Sequence, residues 1–213
     1  MSTVLTVLPL AFVMIAGPQI ISAVFLATSA DWARNSLAFL AGAALSITAT
    51  VTAAYLVVRG AKDSAGSSSE GGEGQTIDAV ILALLVFAAV HVYRTRKVAR
   101  PPKWMGRLQE ATGGFAFKLG FLLLGVFPTD ILTSITVGAT IAREGDPWWH
   151  ALGFVAMTLL LLAIPSILVV LLGARAKVLL PKVRDWMNAN SWVISELVIL
   201  LFIGLTINSL ASS

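Results

Sequence analysis

Asp130 stands near the middle of an apolar run from about Phe115 to Ile141, two positions after a proline in Phe127-Pro128-Thr129-Asp130. An ionised acid at the centre of a bilayer costs on the order of 3 kcal/mol on insertion scales, so an intramembrane acid is a functional candidate by default. At helical spacing its face continues through Ser134, Gly138 and Ala142, all small, which directs it towards another helix or a cavity and away from lipid. Dry surroundings penalise the charged carboxylate, so it gives up its proton when a cation or a water-filled path arrives. That is the behaviour of a proton- or cation-coupling site; the bland alternative is a protonated Asp hydrogen-bonded across helices. Glu196 is the second acid of this kind, on a face that runs Trp192, Glu196, Leu200, Gly204, Asn208. It reads either as a coupling or substrate contact or as a structural acid that snorkels to the membrane edge.

The proline before Asp130 has a counterpart. An earlier apolar run, about Thr3 to Ser29, breaks at Gly17-Pro18-Gln19, and Pro18-Gln19-Ile20-Ile21-Ser22-Ala23 aligns with Pro128-Thr129-Asp130-Ile131-Leu132-Thr133 at an offset of 110 residues. Proline removes a backbone donor and clashes one turn back, so each of these helices is expected to open at Pro18 and Pro128. The freed carbonyls and helix ends become available to a ligand, with Gln19, Ser22, Thr129 and Thr133 as polar lining. A packed helix with a simple kink is the alternative for either proline alone; the matched pair favours a functional break.

The elements that must hold these residues follow from composition. Apolar residues make up 57% of 213 positions and charged residues 12%, with a mean hydropathy of +0.88, which marks an integral membrane protein. Each crossing needs roughly 20 apolar residues, and six such runs lie near 3–29, 34–58, 76–94, 115–141, 148–172 and 190–210. The first has no basic residue ahead of it and leads straight into further spans, so it reads as retained and not as a cleaved signal. The chain has no cysteine, which excludes disulfides, thiol redox chemistry and thiolate metal sites.

Six spans put Arg34, the Arg94–Lys118 cluster and the Arg175–Arg184 cluster on one side of the membrane and Arg59, Lys62 and Arg143 on the other. The split of Lys and Arg is then twelve to three. This bias places the first set in the cytoplasm and both termini outside, in the plasma membrane of a prokaryote. It also accounts for the net charge of +4 without a nucleic-acid partner. The expected fold is therefore all-α: a first three-helix repeat over 1–97, a cytoplasmic linker over 98–114, and a second repeat over 115–213. Three spans per repeat is an odd number, so the second copy is inverted, as in many secondary transporters.

Around this frame, the second span carries Ala38, Gly42, Ser46, Thr50 and Ala54 at four-residue spacing. Such a stripe lets two backbones approach closely; it reads first as packing within one subunit, with a homo-oligomer seam or a substrate path as alternatives. Thr48, Thr52 and Tyr55 add hydroxyls that could line a polar route or bond their own helix. Asp63 to Gln75 reads as a flexible loop. Lys103–Leu108 and Lys182–Met187 read as interfacial segments lying on anionic headgroups, so membrane lipids are expected partners. His91 and His150 fall on opposite sides and cannot share a metal, and no catalytic or nucleotide-binding constellation stands out. Neither an enzymatic activity nor a cofactor is expected.

Leu8-Pro9-Leu10 through Gly17-Pro18-Gln19, the polar second span, Pro101-Pro102-Lys103-Trp104-Met105 and the proline-centred fourth span together resemble the GAP/Sap family. These are the peptidoglycolipid or sulfolipid addressing proteins of the lysine-exporter (LysE) superfamily. The resemblance covers nearly the whole chain. It implies six membrane helices in a duplicated three-helix unit and a role in exporting small molecules or delivering glycolipids to the cell surface. Many relatives read Asn-Pro-Lys at the fourth-span break, where this chain has Phe127-Pro128-Thr129-Asp130, so an acid replaces a base and a different ion or substrate is expected. The functional expectation is a gradient-driven exporter of a small-molecule or lipid-like substrate, with Asp130 as coupling acid and Pro18, Gln19, Ser22, Pro128, Thr129, Thr133 and Glu196 around it. The alternative is a non-transporting module that helps assemble or place surface lipids.

Overall fold

A computed structural model describes residues 3–15, 17–65 and 111–189. The third and sixth expected spans, most of the 98–114 linker, His91 and Glu196 lie outside the described residues. Within them every regular element is helical. They are α1 (Thr3–Val7), α2 (Leu10–Ile15), α3 (Pro18–Ala27), α4 (Trp32–Ala65), α5 (Gly113–Val126), α6 (Pro128–Arg143), a 3-10 turn (Trp148–His150), α7 (Ala151–Leu172) and α8 (Ala174–Ala189). Two stretches, Trp32–Asp63 and Trp148–Leu172, are long and apolar enough to cross a membrane alone. The pair α5 and α6 forms a third candidate, bent by 68°.

The bends sit at prolines for the reason given by backbone chemistry. Pro128 opens α6 and Pro18 opens α3, each at a first-turn position where its missing N–H costs nothing. The residues before them, Phe127 and Gly17, are extended, as a residue before proline prefers. The N-terminal run differs from the expectation of one break, because Pro9 opens a second one between α1 and α2. A proline there denies its own helix a donor just as Pro18 does. Two further differences are extensions: α4 continues through Asp63 to Ala65, into the expected loop, and the expected Lys182–Met187 segment is part of a 16-residue helix.

The 34-residue α4, about 50 Å long at 1.5 Å per residue, is the spine of the molecule. Phe39, Ala43, Ile47, Val51 and Tyr55 repeat every fourth residue along its buried face. They join Ala116, Leu119, Leu124, Val137, Ile141 and Phe154 in one apolar core. The small-residue stripe of α4 is used within the chain: Gly42 faces the Phe117 backbone, and Gly120 of α5 faces the Phe39 backbone. Gly125 meets Ser46, and a Cβ on Gly138 would stand 3.0 Å from the Ala54 methyl. Close approach of backbones across small residues is the standard way apolar helices associate where lipid provides no hydrophobic drive.

The packing exchanges partners between the halves. The second span of the first half, α4, packs on the broken span α5–α6 of the second half, and α7 packs on α2 and α3 of the first. The N-terminal helices also touch the bent pair, α2 against α6 and α3 against α5. Outward faces are apolar: Leu37, Leu56, Leu160, Val170 and Leu171 are exposed. Contiguous exposed apolar surface of this kind, on helices that are apolar nearly all round, belongs in lipid.

Polar groups close the two ends of the bundle. At one end, buried Asn35 donates through Nδ2 to Ser29 Oγ at 2.9 Å and to the Ala111 carbonyl at 2.8 Å, tying the α3–α4 turn to the entry of α5. Thr112 caps α5 by accepting from the Phe115 N–H at 3.3 Å. At the other end the hydroxyls of α4 hold the α6–α7 connection. Tyr55 donates to the Asp146 carbonyl at 3.2 Å and accepts from Arg59 at 2.6 Å, while Thr52 accepts from the Trp148 indole at 2.9 Å. Lys62 donates to the Arg143 carbonyl at 3.0 Å, a cation on a helix C-terminus. The Asp146 carboxyl is held below the usual carboxylate range, chiefly by a hydrogen bond from the Thr3 side chain, with burial opposing and His150 adding. Thr52 and Tyr55 are thereby occupied in structure. Gly173, at φ 51°, takes the left-handed conformation that turns the chain from α7 into α8.

Candidate functional site

The two proline breaks face each other. Gln19, first turn of α3, donates through Nε2 to Asp130 Oδ2 in the first turn of α6 at 2.5 Å, across 111 residues of sequence. Both side chains are buried, at 1% and 0% exposure, so the bond lies in the interior where neither group has water as a substitute. Thr129 donates to the other carboxylate oxygen at 3.3 Å. A short buried bond between the starts of two helices joins the N-terminal and C-terminal parts of the described chain.

Local sequence explains how the two side chains arrive there. A residue one or two positions after a first-turn proline points back over the helix start, because side chains on a helix tilt towards its N-terminus. Gln19 and Asp130 occupy those positions. The small face expected below Asp130 is realised: Ser134, Gly138 and Ala142 are all buried, which leaves room for α4 to pass.

The remaining site residues divide. Ser22 and Thr133 are buried, and each donates to a carbonyl one turn back on its own helix, to Pro18 and to Thr129, both at 2.7 Å. They spend their protons on first-turn carbonyls of their own helices, and no hydrogen bond joins either to Asp130. Pro18 and Pro128 are half-buried, Thr129 is exposed apart from its bond, and Glu196 lies outside the described residues. One residue the sequence reading did not select for the site, Ser134, lies one turn from Asp130, and one selected residue, Gln19, has an atom without a partner. Ser134 Oγ is fully buried and has no hydrogen-bond partner, and Gln19 Oε1 is likewise unpartnered. Ser134 was within reach of sequence reasoning, being four residues after Asp130 on the same face. The state of the Gln19 oxygen depends on a long-range partner and was not.

No group of three or more His, Cys, Asp or Glu side chains that could hold a metal occurs among the described residues. Chemically the junction offers one carboxyl able to gain or lose a proton, one amide able to donate or accept, one free hydroxyl, and two helix starts.

Apolar helices, with a buried acid where two proline-opened helices begin, mark a membrane protein, and the family comparison is specific. The chain belongs to the Sap, sulfolipid-1-addressing protein, family, whose model matches residues 7–210. No curated protein and no solved structure matches it.

Proposed function

We propose that the chain is a secondary transporter that exports a small-molecule or lipid-related substrate across the cytoplasmic membrane, coupled to protons or another cation through Asp130. In this reading six spans form two inverted three-helix units, with the Arg34 end in the cytoplasm and the Arg143 end outside. The observation that carries it is the buried bond between Gln19 and Asp130, which joins the breaks of two halves that pack crosswise on each other. Inverted units rocking about a shared midplane contact are the usual machinery of alternating access. Further support comes from the family, that of the sulfolipid-1-addressing protein.

Asp130 would exchange its proton with one side and then the other as the halves rock, Gln19 holding the carboxylate between exchanges. The test uses the full chain in proteoliposomes with an imposed pH gradient, following inter-leaflet movement of an NBD-labelled anionic phospholipid. The wild type is expected to speed that movement in a gradient-dependent way. Asp130→Asn, which inserts with the same side-chain volume, is expected to lose the gradient dependence entirely. Unchanged gradient dependence in that variant would remove Asp130 from the coupling role. Movement no faster than in protein-free vesicles would point to the assembly module instead.

A further inference from the structure

The junction also has the makings of an anion site. Helices α3 and α6, of 10 and 16 residues, both begin there, and neither has a side-chain cap. The positive end of a helix dipole attracts negative charge. In α6 the Asp130 and Ile131 N–H groups are already taken by the Phe127 carbonyl, so the dipole and nearby side-chain donors are what remain to act. Asp130, when ionised, supplies that charge from within the chain, sitting in the first turn of α6 and bonded to the first turn of α3.

The Gln19 carboxamide can serve either protonation state of Asp130. An amide has one donating and one accepting end. With a carboxylate as partner, Nε2 must face Asp130, and Oε1 is left buried with no partner. That oxygen lies beside Gly17, where a Cβ would stand 2.7 Å from it. When Asp130 is protonated its O–H needs an acceptor, and the nearest suitable one is the same amide. A half-turn of the Gln19 carboxamide gives Asp130 its acceptor and brings Nε2 to the space beside Gly17. The hydroxyl of Ser134, one turn along from Asp130, is a second donor without a bond of its own.

We propose that the junction binds an oxyanion group, a carboxylate, sulfate or phosphate ester, together with one proton on Asp130, and that Gln19 is the switch that turns the site from accepting to donating. No covalent bond changes; one proton enters from solution with each anion. The inference rests on the exporter reading for its place on a transport path, but its readout is binding and not flux.

The charges around Asp130 leave it as the group that titrates. Helices α1, α2, α3 and α7 carry no ionisable side chain. On α4 the ionisable groups, Arg34, Tyr55, Arg59, Lys62 and Asp63, fall towards its two ends, and Tyr55, Arg59 and Lys62 bond at the α6–α7 connection. Lys118 on α5 is exposed, Arg143 is the last residue of α6 at the end away from Asp130, and Glu144, Asp146 and His150 stand beyond it. On α8, which touches α3, Arg175 and Lys182 are exposed, and Lys177, Arg184 and Asp185 belong to the same helix. Among the described residues the partners of the Asp130 carboxylate are Gln19 and Thr129.

Calorimetric titration of the purified full chain in uncharged detergent, between pH 5 and pH 8, tests this with two probes, sodium sulfate and dihexanoyl phosphatidate. Affinity for at least one is expected to rise as pH falls, by up to about tenfold per unit, the limit for uptake of one proton. Asp130→Asn cannot ionise, and its amide can bond Gln19 Oε1, so it should bind at pH 8 without pH dependence. Gln19→Leu should lose binding at every pH while eluting from a sizing column as the wild type does. Sulfate binding with the pH slope identifies a free anion as sufficient, and phosphatidate binding alone identifies a lipid headgroup; both support the site. Binding of neither probe, or a flat pH profile in the wild type, overturns it, and the wild-type profile decides even if a variant does not fold. Asp130-dependent flux without such binding would remove this inference and leave the exporter reading; binding without flux would do the reverse.

Discussion

Replacing Gly120 by alanine is expected to destabilise the protein by about 3 kcal/mol. A Cβ at that position falls inside the contact radius of the Phe39 carbonyl oxygen, and the obstruction is backbone, which has no rotamer to yield. Overpacking a fitted interior costs about 1–3 kcal/mol when side chains can adjust. Here α4 and α5 must separate along a seam that also holds Gly42 against Phe117, so the upper end of that range applies. Gly114, where a Cβ meets nothing within 4 Å, is the control on the same helix and should tolerate alanine without loss. Chemical unfolding in detergent micelles, followed by tryptophan fluorescence, separates the two. Equal stability of the Gly114 and Gly120 variants would contradict the close α4–α5 seam.

The second large effect belongs to the Gln19–Asp130 pair. Asp130→Leu leaves a buried amide without its partner, and Gln19→Leu leaves a buried acid with only the 3.3 Å bond from Thr129. Losing one partner of a hydrogen bond to a charged group costs about 2–3 kcal/mol, whereas removing both together is much cheaper. The double variant Gln19→Leu/Asp130→Leu is therefore expected to be more stable than the sum of the single losses by more than about 1 kcal/mol, the signature of direct contact. Additive losses would mean that the two side chains do not meet.

These two predictions draw on different amounts of sequence information. The breaks at Pro18 and Pro128 were legible because proline's missing donor acts locally, whatever surrounds it. Burial of Asp130 was legible too, since Ser134, Gly138 and Ala142 recur on its helical face and a small face seeks a neighbour. The span at Trp148–Leu172 coincided with its apolar run for the same reason. Pro9 was less visible, because the residues around it are as apolar as those of an unbroken helix. The continuation of α4 to Ala65 and the helix through Pro181 depend on neighbours that a local pattern does not record. The stripe on α4 announced a close contact, yet its partner glycines on α5, some 75 residues away, could be named only from the fold.

The Gln19–Asp130 bond was hardest to foresee, although both residues were selected. Internal alignment matched Gln19 with Thr129, since it compares positions in the repeat, while contact depends on how the two copies cross. The crossing offsets the pair by one position, 111 residues apart. Ser22 and Thr133 show the converse: their placement was legible, but each hydroxyl is taken by the carbonyl one turn back. A carbonyl one turn back on the same helix is nearer than any ligand.

The central claim is that this junction lies on a water-accessible path that opens to each side in turn. The chain's lack of cysteine allows a direct measurement, because a single Ser134→Cys substitution supplies its one thiol almost without change of volume. Membrane-impermeant methanethiosulfonate reagents need water and a thiolate to react. Applied from either side of sealed proteoliposomes, with single cysteines at exposed Asp31 and Glu144 marking the two ends, they should label position 134 from both sides. A thiol at 134 that stays unreactive from both sides, while 31 and 144 each react from one, would contradict the account and leave a dry, continuous core.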